Sequence, residues 1–158
     1  MPTDVDILIL GDLVVRAGGR QLELPGPSVR ALLSAMLLTP GDVVGEERLL
    51  ELAWGPGKGS RRALQCAANR LRDWLRRTVG SGFALGHAGS GYRLTVPDGA
   101  IDLMRFRRLR KVGAAPDGPE LRLDRLRAAL GEWRGPVLGG RPEWLAADPV
   151  VRAVEQAR

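Results

Sequence analysis

Residues 60–78 read SRRALQCAANRLRDWLRRT, and the neighbouring segments take their meaning from this stretch. Leu64, Ala67, Ala68, Leu71, Trp74 and Leu75 recur at helical spacing and form one apolar stripe. Ser60 stands where a hydroxyl caps the first turn by accepting from a free backbone N–H. At 3.6 residues per turn the opposite face carries Arg62, Cys66, Asn69, Arg70, Asp73 and Arg77. Gln65, Arg72 and Arg76 lie on the flank between the two faces. From Lys58 to Arg77 there are seven basic residues and one acid, a local charge equal to the +6 of the whole chain. Guanidinium forks suit phosphate oxygens and guanine edges, and Asn and Gln suit adenine edges. Taken alone, the stretch leaves two readings open: a helix laid in a DNA major groove, or a solvated arginine face on a core helix.

The segments before it are short and well punctuated. Val5 to Leu10 (VDILIL), Leu13 to Arg16 and Gln21 to Leu24 read as three strands of a small antiparallel sheet, with a turn at Ala17-Gly18-Gly19. Pro25-Gly26-Pro27 breaks the sheet. Ser28 to Thr39 reads as a buried helix ended by Pro40-Gly41, and Val43-Val44 as a brief extended piece. Glu46 to Trp54 reads as a second helix with its acids in the first turn. Gly55 to Gly59 (GPGKG) is a loop. After the basic helix, Phe83–Gly86 and Tyr92–Val96 flank HAGSG as a β-hairpin. A helix, a turn, a basic helix and a hairpin together describe a helix-turn-helix with a wing, and this order favours groove binding over the solvated face.

Pro97-Asp98-Gly99 separates a second segment. Ile101–Val112 reads as a helix with Leu103, Phe106, Leu109 and Val112 on one stripe, and Glu120–Trp133 as another with Leu123, Leu126, Leu130 and Trp133 apolar. Residues 113–119 form a loop between them, 135–142 a second loop, and a last helix covers 143–158 with a break near Pro149. Short helices in series resemble the start of a helical-repeat array. The expected division is 1–97 and 98–158.

Composition narrows the function classes. The fractions of apolar and charged residues are those of a globular protein, and a pI near 10.8 favours a polyanionic partner. Residues 1–57 hold four basic and eight acidic residues, so the charge is directed rather than general. Cys66 is the sole cysteine and His87 the sole histidine, which excludes an intrachain disulfide and the usual zinc sets. No apolar run reaches the roughly 20 residues of a membrane span, and MPTDVDILIL has no basic leader, so a cytoplasmic protein is expected. No arrangement of nucleophile, base and acid supports catalysis, Gly55–Gly59 lacks the P-loop pattern, and no cofactor is expected. Trp54, Trp74, Trp133 and Trp144 are read as core residues.

The motifs in this order resemble the SARP family, the Streptomyces antibiotic regulatory proteins, and more broadly the OmpR-type winged-helix regulators. The resemblance is carried by ILGDLVVRAGGRQLELPGPSVRALLSAMLL, EERLLELAWG, SRRALQCAANRLRDWL and GSGYRLTVPDGAIDLMRF, and ALGEWRGPVL resembles the start of the family's bacterial transcriptional activation domain. It implies an α+β fold: an OmpR-type winged helix-turn-helix with an N-terminal antiparallel sheet and a C-terminal hairpin wing, then a short all-α segment akin to tetratricopeptide repeats. It implies a sequence-specific activator on double-stranded DNA, two protomers side by side on promoter direct repeats as a homodimer, and contact with RNA polymerase through residues 55–60. By the resemblance Arg62, Cys66, Asn69 and Arg70 meet DNA from the recognition helix, and Arg72 falls where a phosphate contact is common. With Arg61, Gln65 and Arg76 from the same helix, and His87 and Arg93 from the wing, these are the candidate DNA-binding residues. The sequence departs from the pattern at Ala88, where an arginine is common, and in its shortened activation domain. Two rivals remain: a protein-interaction module on a winged-helix scaffold, and a nucleic-acid binder without sequence preference.

Overall fold

A computed structural model describes residues 4–80, 82–113 and 118–158. Three strands, β1 (Val5–Leu8), β2 (Val14–Ala17) and β3 (Arg20–Leu22), pair antiparallel in sequence order. Helix α1 (Pro27–Leu37) starts on proline, whose fixed φ suits the first turn, and buries most of its length. Strand β4 (Val43–Gly45) leads into α2 (Glu46–Trp54), and α3 (Arg61–Thr78) follows after a six-residue loop. Strands β5 (Ala84–Ala88) and β6 (Gly91–Thr95) form the hairpin, and β4 pairs with the free side of β6 to give the order β4-β6-β5.

The hairpin is tighter than HAGSG suggested. Ala88 faces Gly91, so Gly89-Ser90 alone make the turn. The extended piece at 43–45 becomes the third strand because Gly91 lets it approach: a Cβ there would lie 2.0 Å from the Val44 carbonyl oxygen. The Glu46 N–H then donates to the Ser90 carbonyl, tying the start of α2 to the turn of the wing.

Four helices complete the chain: α4 (Asp102–Gly113), α5 (Pro119–Gly131), α6 (Glu143–Ala146) and α7 (Pro149–Gln156). The last helical stretch breaks near Pro149 as expected, because Asp148 caps a new start there by accepting from the Val150 N–H. Of the loop expected at 113–119, residues 114–117 lie outside the described residues, as does the Val112 side chain.

Two expectations are corrected here. The strand expected over 5–10 ends at Leu8. Ile9 and Leu10 are fully buried, and their N–H groups turn to Asp102, itself 0% exposed: Ile9 donates to both carboxylate oxygens (2.9 and 3.0 Å) and Leu10 to one (2.9 Å). The same carboxylate accepts from the Leu103 N–H at the start of α4. On the other side, Leu138 donates to the Ile9 carbonyl, Arg134 and Gly135 to that of Leu10, and Gly139 to that of Gly11. Buried backbone polar groups need partners, and residues 9–11 find theirs in the C-terminal segment. Burial pushes the Asp102 carboxyl above its ordinary 3.8, while the three amides and Arg134 pull it down.

The second correction concerns α5. Of the apolar positions read on this helix, Leu123, Leu126 and Leu130 are 47%, 37% and 52% exposed, while Trp133 and Ala129 are buried. The helix meets α4 with another face, and Trp133 packs edge-on against Phe106 at 5.4 Å. Of the other tryptophans, Trp74 is buried and donates to the Glu23 carbonyl, and Trp54 is half-buried against the core. Trp144 remains 38% exposed, with its indole N–H donating to the Leu52 carbonyl at the end of α2. Arg48 of α2 grips Asp148 with two bonds of 2.7 and 2.6 Å, and this bond from Arg48 holds the Asp148 carboxyl below its ordinary value. One hydrophobic core runs through both halves.

Candidate nucleic-acid interface

The interface is built on α3. Its first turn is capped as the sequence predicts, the Ser60 hydroxyl accepting from Ala63 N–H at 3.1 Å. The loop before it turns on Gly59, at φ +78°, where a Cβ would lie 2.9 Å from Trp54. Leu64, Ala67, Ala68, Leu71, Trp74 and Leu75 are buried and fix the rotation of the helix. Arg61, Arg62, Gln65, Cys66, Asn69, Arg70, Asp73, Arg76 and Arg77 are thereby left exposed along its length.

These residues are not equivalent. Among the described residues, Arg62, Gln65 and Cys66 have no side-chain hydrogen-bond or ion-pair partner. Arg61 reaches Glu46 at 3.3 Å and Arg76 reaches Asp73 at 3.2 Å, but both arginines stay more than 70% exposed. Exposed pairs of this kind contribute little, about 0–1 kcal/mol, and exchange readily for phosphate. Asp73 thus pairs with Arg76 rather than with Arg70 or Arg77; Arg77 donates from Nε to the Asp73 backbone carbonyl.

Arg70, expected on the outward face, and Arg72, expected on the flank, are both engaged by backbone carbonyls. Arg70 folds over the Pro25 carbonyl beside Gly26, which anchors α3 to the loop between β3 and α1. Arg72 is half-buried. Its Nε donates to the Leu85 carbonyl of β5 (2.9 Å) and its Nη1 to Asn69 Oδ1 (2.9 Å). The guanidinium only donates, so this bond orients the Asn69 amide with its NH2 turned away from Arg72. Neither partner carbonyl could be read from the sequence, because Pro25 and Leu85 lie 45 and 13 residues away from their arginines.

The wing divides its two candidates. His87 pairs in register with buried Tyr92, shares its side of the sheet, and rests its ring 4.4 Å from the tyrosine ring. Arg93 lies opposite Gly86 and Val43 on the other, exposed side. Ala88 sits half-buried at the end of β5, next to the turn.

In the loop between α2 and α3 the second segment covers Gly55, while residues 56–60 stay exposed. The Trp144 indole packs over Gly55, 3.2 Å from where a Cβ would stand. That neighbour was not legible in sequence. Among the described residues no cluster of His, Cys, Asp and Glu could hold a metal, and no helix is long and apolar enough to cross a membrane.

A three-helix unit backed by one antiparallel sheet and closed by a second, with its third helix basic and outward, defines a winged helix-turn-helix of the DNA-binding class. Residues 19–94 match the model of the C-terminal domain of transcriptional regulatory proteins, and residues 101–158 that of the bacterial transcriptional activator domain. The chain belongs to the SARP family of transcriptional regulators.

Among its relatives, EmbR of Mycobacterium tuberculosis is 31% identical over 95% of this chain and 40% of its own. MoaR1 of the same species is 30% identical over 96% of this chain and 51% of its own. AfsR of Streptomyces coelicolor is 34% identical over 93% of this chain and 15% of its own. The structure of M. tuberculosis EmbR in complex with a low-affinity phosphopeptide superposes with a TM-score of 0.76 at 31% identity, covering 96% of this chain. The chain thus spans between about a seventh and a half of the length of these relatives.

Proposed function

We propose that this chain recognises double-stranded promoter DNA with α3 in the major groove and acts as a SARP-type activator. The observation that carries the reading is the exposed row Arg62, Gln65, Cys66 and Asn69, held at a fixed rotation by the buried stripe behind it and by the Arg72 tie to the wing. Arg61, Arg62 and Arg76 supply phosphate contacts and most of the affinity. Gln65, Cys66 and Asn69 face base edges; Asn69, with its NH2 outward, donates to a purine acceptor and Cys66 touches a thymine methyl. Arg70 joins them only by releasing Pro25. His87 approaches the backbone from the wing, and Arg93 takes a secondary role.

The proposal extends to two protomers on direct repeats, to RNA polymerase docking at the loop 55–60, to action in the cytoplasm, and to a division near 97/98 between recognition and activation. It includes no catalytic step and no cofactor. A protein-interaction role has one observation in its favour, the exposed leucines of α5.

Selection from a randomised duplex pool at about 50 and 200 mM salt separates the readings. One enriched motif at both salts, with weaker binding at the higher, is expected. Salt-sensitive binding without enrichment leaves only a non-specific binder, and no binding at either salt leaves the interaction module.

The Arg72 anchor makes a sharper expectation. Arg72→Ala should weaken the selected site about tenfold, a cost of 1–2 kcal/mol for a lost anchoring bond, with the salt slope unchanged. A slope smaller by about 1, with equal loss on random duplex, would make Arg72 a phosphate contact instead.

A further inference from the structure

A cavity of about 300 Å³ lies where α1 and α2 meet the loop and short helix after α5, between the two family-matched segments. Ala31, Leu52 and Leu145 represent its mostly apolar wall, and Arg30, Ser34 and Arg141 its polar groups. Its volume is at the lower end of the range for small-molecule sites.

The polar groups are all donors with bonds left unmade. Ser34 is 92% buried, since 8% of it is exposed, and its hydroxyl has no partner among the described residues. Arg30 gives one bond, from Nη2 to the Leu13 carbonyl, and no carboxylate faces its charge. Arg141 is held by Glu155 at 2.7 Å and by the Val137 carbonyl, yet its Nε–H is buried without a partner. Of these, the Arg141 Nε–H is the buried donor without an acceptor, which costs free energy, while Arg30 is exposed to solvent; no acidic side chain lines this cavity among the described residues.

We infer that the cavity is a binding site for a compact carboxylate with an apolar body. The carboxylate takes the Arg30 guanidinium and the Ser34 hydroxyl, and the body lies against Ala31, Leu52 and Leu145. A neutral amphiphile would leave the exposed Arg30 charge to water and forgo a charge-assisted bond, and a fully hydrophilic anion would leave the wall wet. Because the walls come from both segments, occupancy ties the winged helix to the activator segment. The proposal does not depend on DNA recognition.

The test titrates the full chain with octanoate, octanol and acetate, following amide shifts by NMR and the melting temperature. Octanoate is expected to bind saturably, to shift Ala31, Ser34 and Leu52, and to raise the melting temperature; octanol and acetate should bind at least about tenfold more weakly. Arg30→Gln should remove that preference for octanoate while leaving octanol unchanged. Ala31→Phe, which fills the cavity, should abolish both. No saturable shift at these residues, or octanoate binding unchanged in Arg30→Gln, would overturn the assignment: the donors would then be met by water alone.

Discussion

Asp102→Ala is expected to destabilise the protein by about 3–5 kcal/mol, a large fraction of the roughly 5–15 kcal/mol typical of a domain. The carboxylate accepts from three buried N–H groups, those of Ile9, Leu10 and Leu103. Alanine leaves all three without an acceptor. The carbonyls of Ile9 and Leu10 are already engaged by the loop at 134–139, so the segment cannot shift to find new partners without breaking those bonds. Release from the desolvation of the charged carboxylate offsets part of the loss, which is why the figure falls below the sum of three full penalties. Asp102→Asn keeps one accepting oxygen and presents an NH2 where the second stood, so about half the loss is expected. Urea unfolding measures both; a loss under 1 kcal/mol for Asp102→Ala would mean that water replaces the carboxylate.

Asp102 also marks the limit of what the sequence carried. The buried stripe and outward face of α3 follow from a period of 3.6, and the Ser60 cap from a local signal. The structure places both as read. The hairpin after α3 was legible for the same reason, since its partners are neighbours in the chain. What was not legible depends on contacts between distant residues. Nothing local ties Asp102 to Ile9, 93 residues before it. Pro97-Asp98-Gly99 read as punctuation, yet Ile101 bridges Ile7 just beyond it. Arg70 shares its face with Arg62 and Arg72 its flank with Arg76, and only the carbonyls of Pro25 and Leu85 distinguish anchors from free groups. The leucines of α5 failed differently: the apolar period was present, but α4 meets another face of the helix, so periodicity identified a stripe without identifying its cover.

The joint variant Arg61→Ala, Arg62→Ala, Arg76→Ala is expected to lose the most DNA affinity. Each phosphate neutralised contributes about 0.9 to the slope of log K against log salt, so the slope should fall by about 2.7. Extrapolated from 1 M salt, where the electrostatic contribution vanishes, three contacts are worth on the order of 3,000-fold at 50 mM and about 150-fold at 150 mM. The fold itself should be nearly unaffected. All three side chains are exposed; Arg61 and Arg76 give up only surface ion pairs, and Arg62 gives up no bond. Removing Arg76 frees Asp73 on the outward face, where its charge repels the backbone, so the measured loss should exceed the contact count rather than fall below it. Preference among sequences should survive to the extent that Gln65, Cys66 and Asn69 carry it, because phosphates hold no base information. Anisotropy titrations over a salt series on the selected site and a scrambled duplex distinguish the outcomes. A slope that does not move would show that α3 does not track the backbone, and the loss of all sequence preference together with affinity would place base readout in the arginines, Arg62 first.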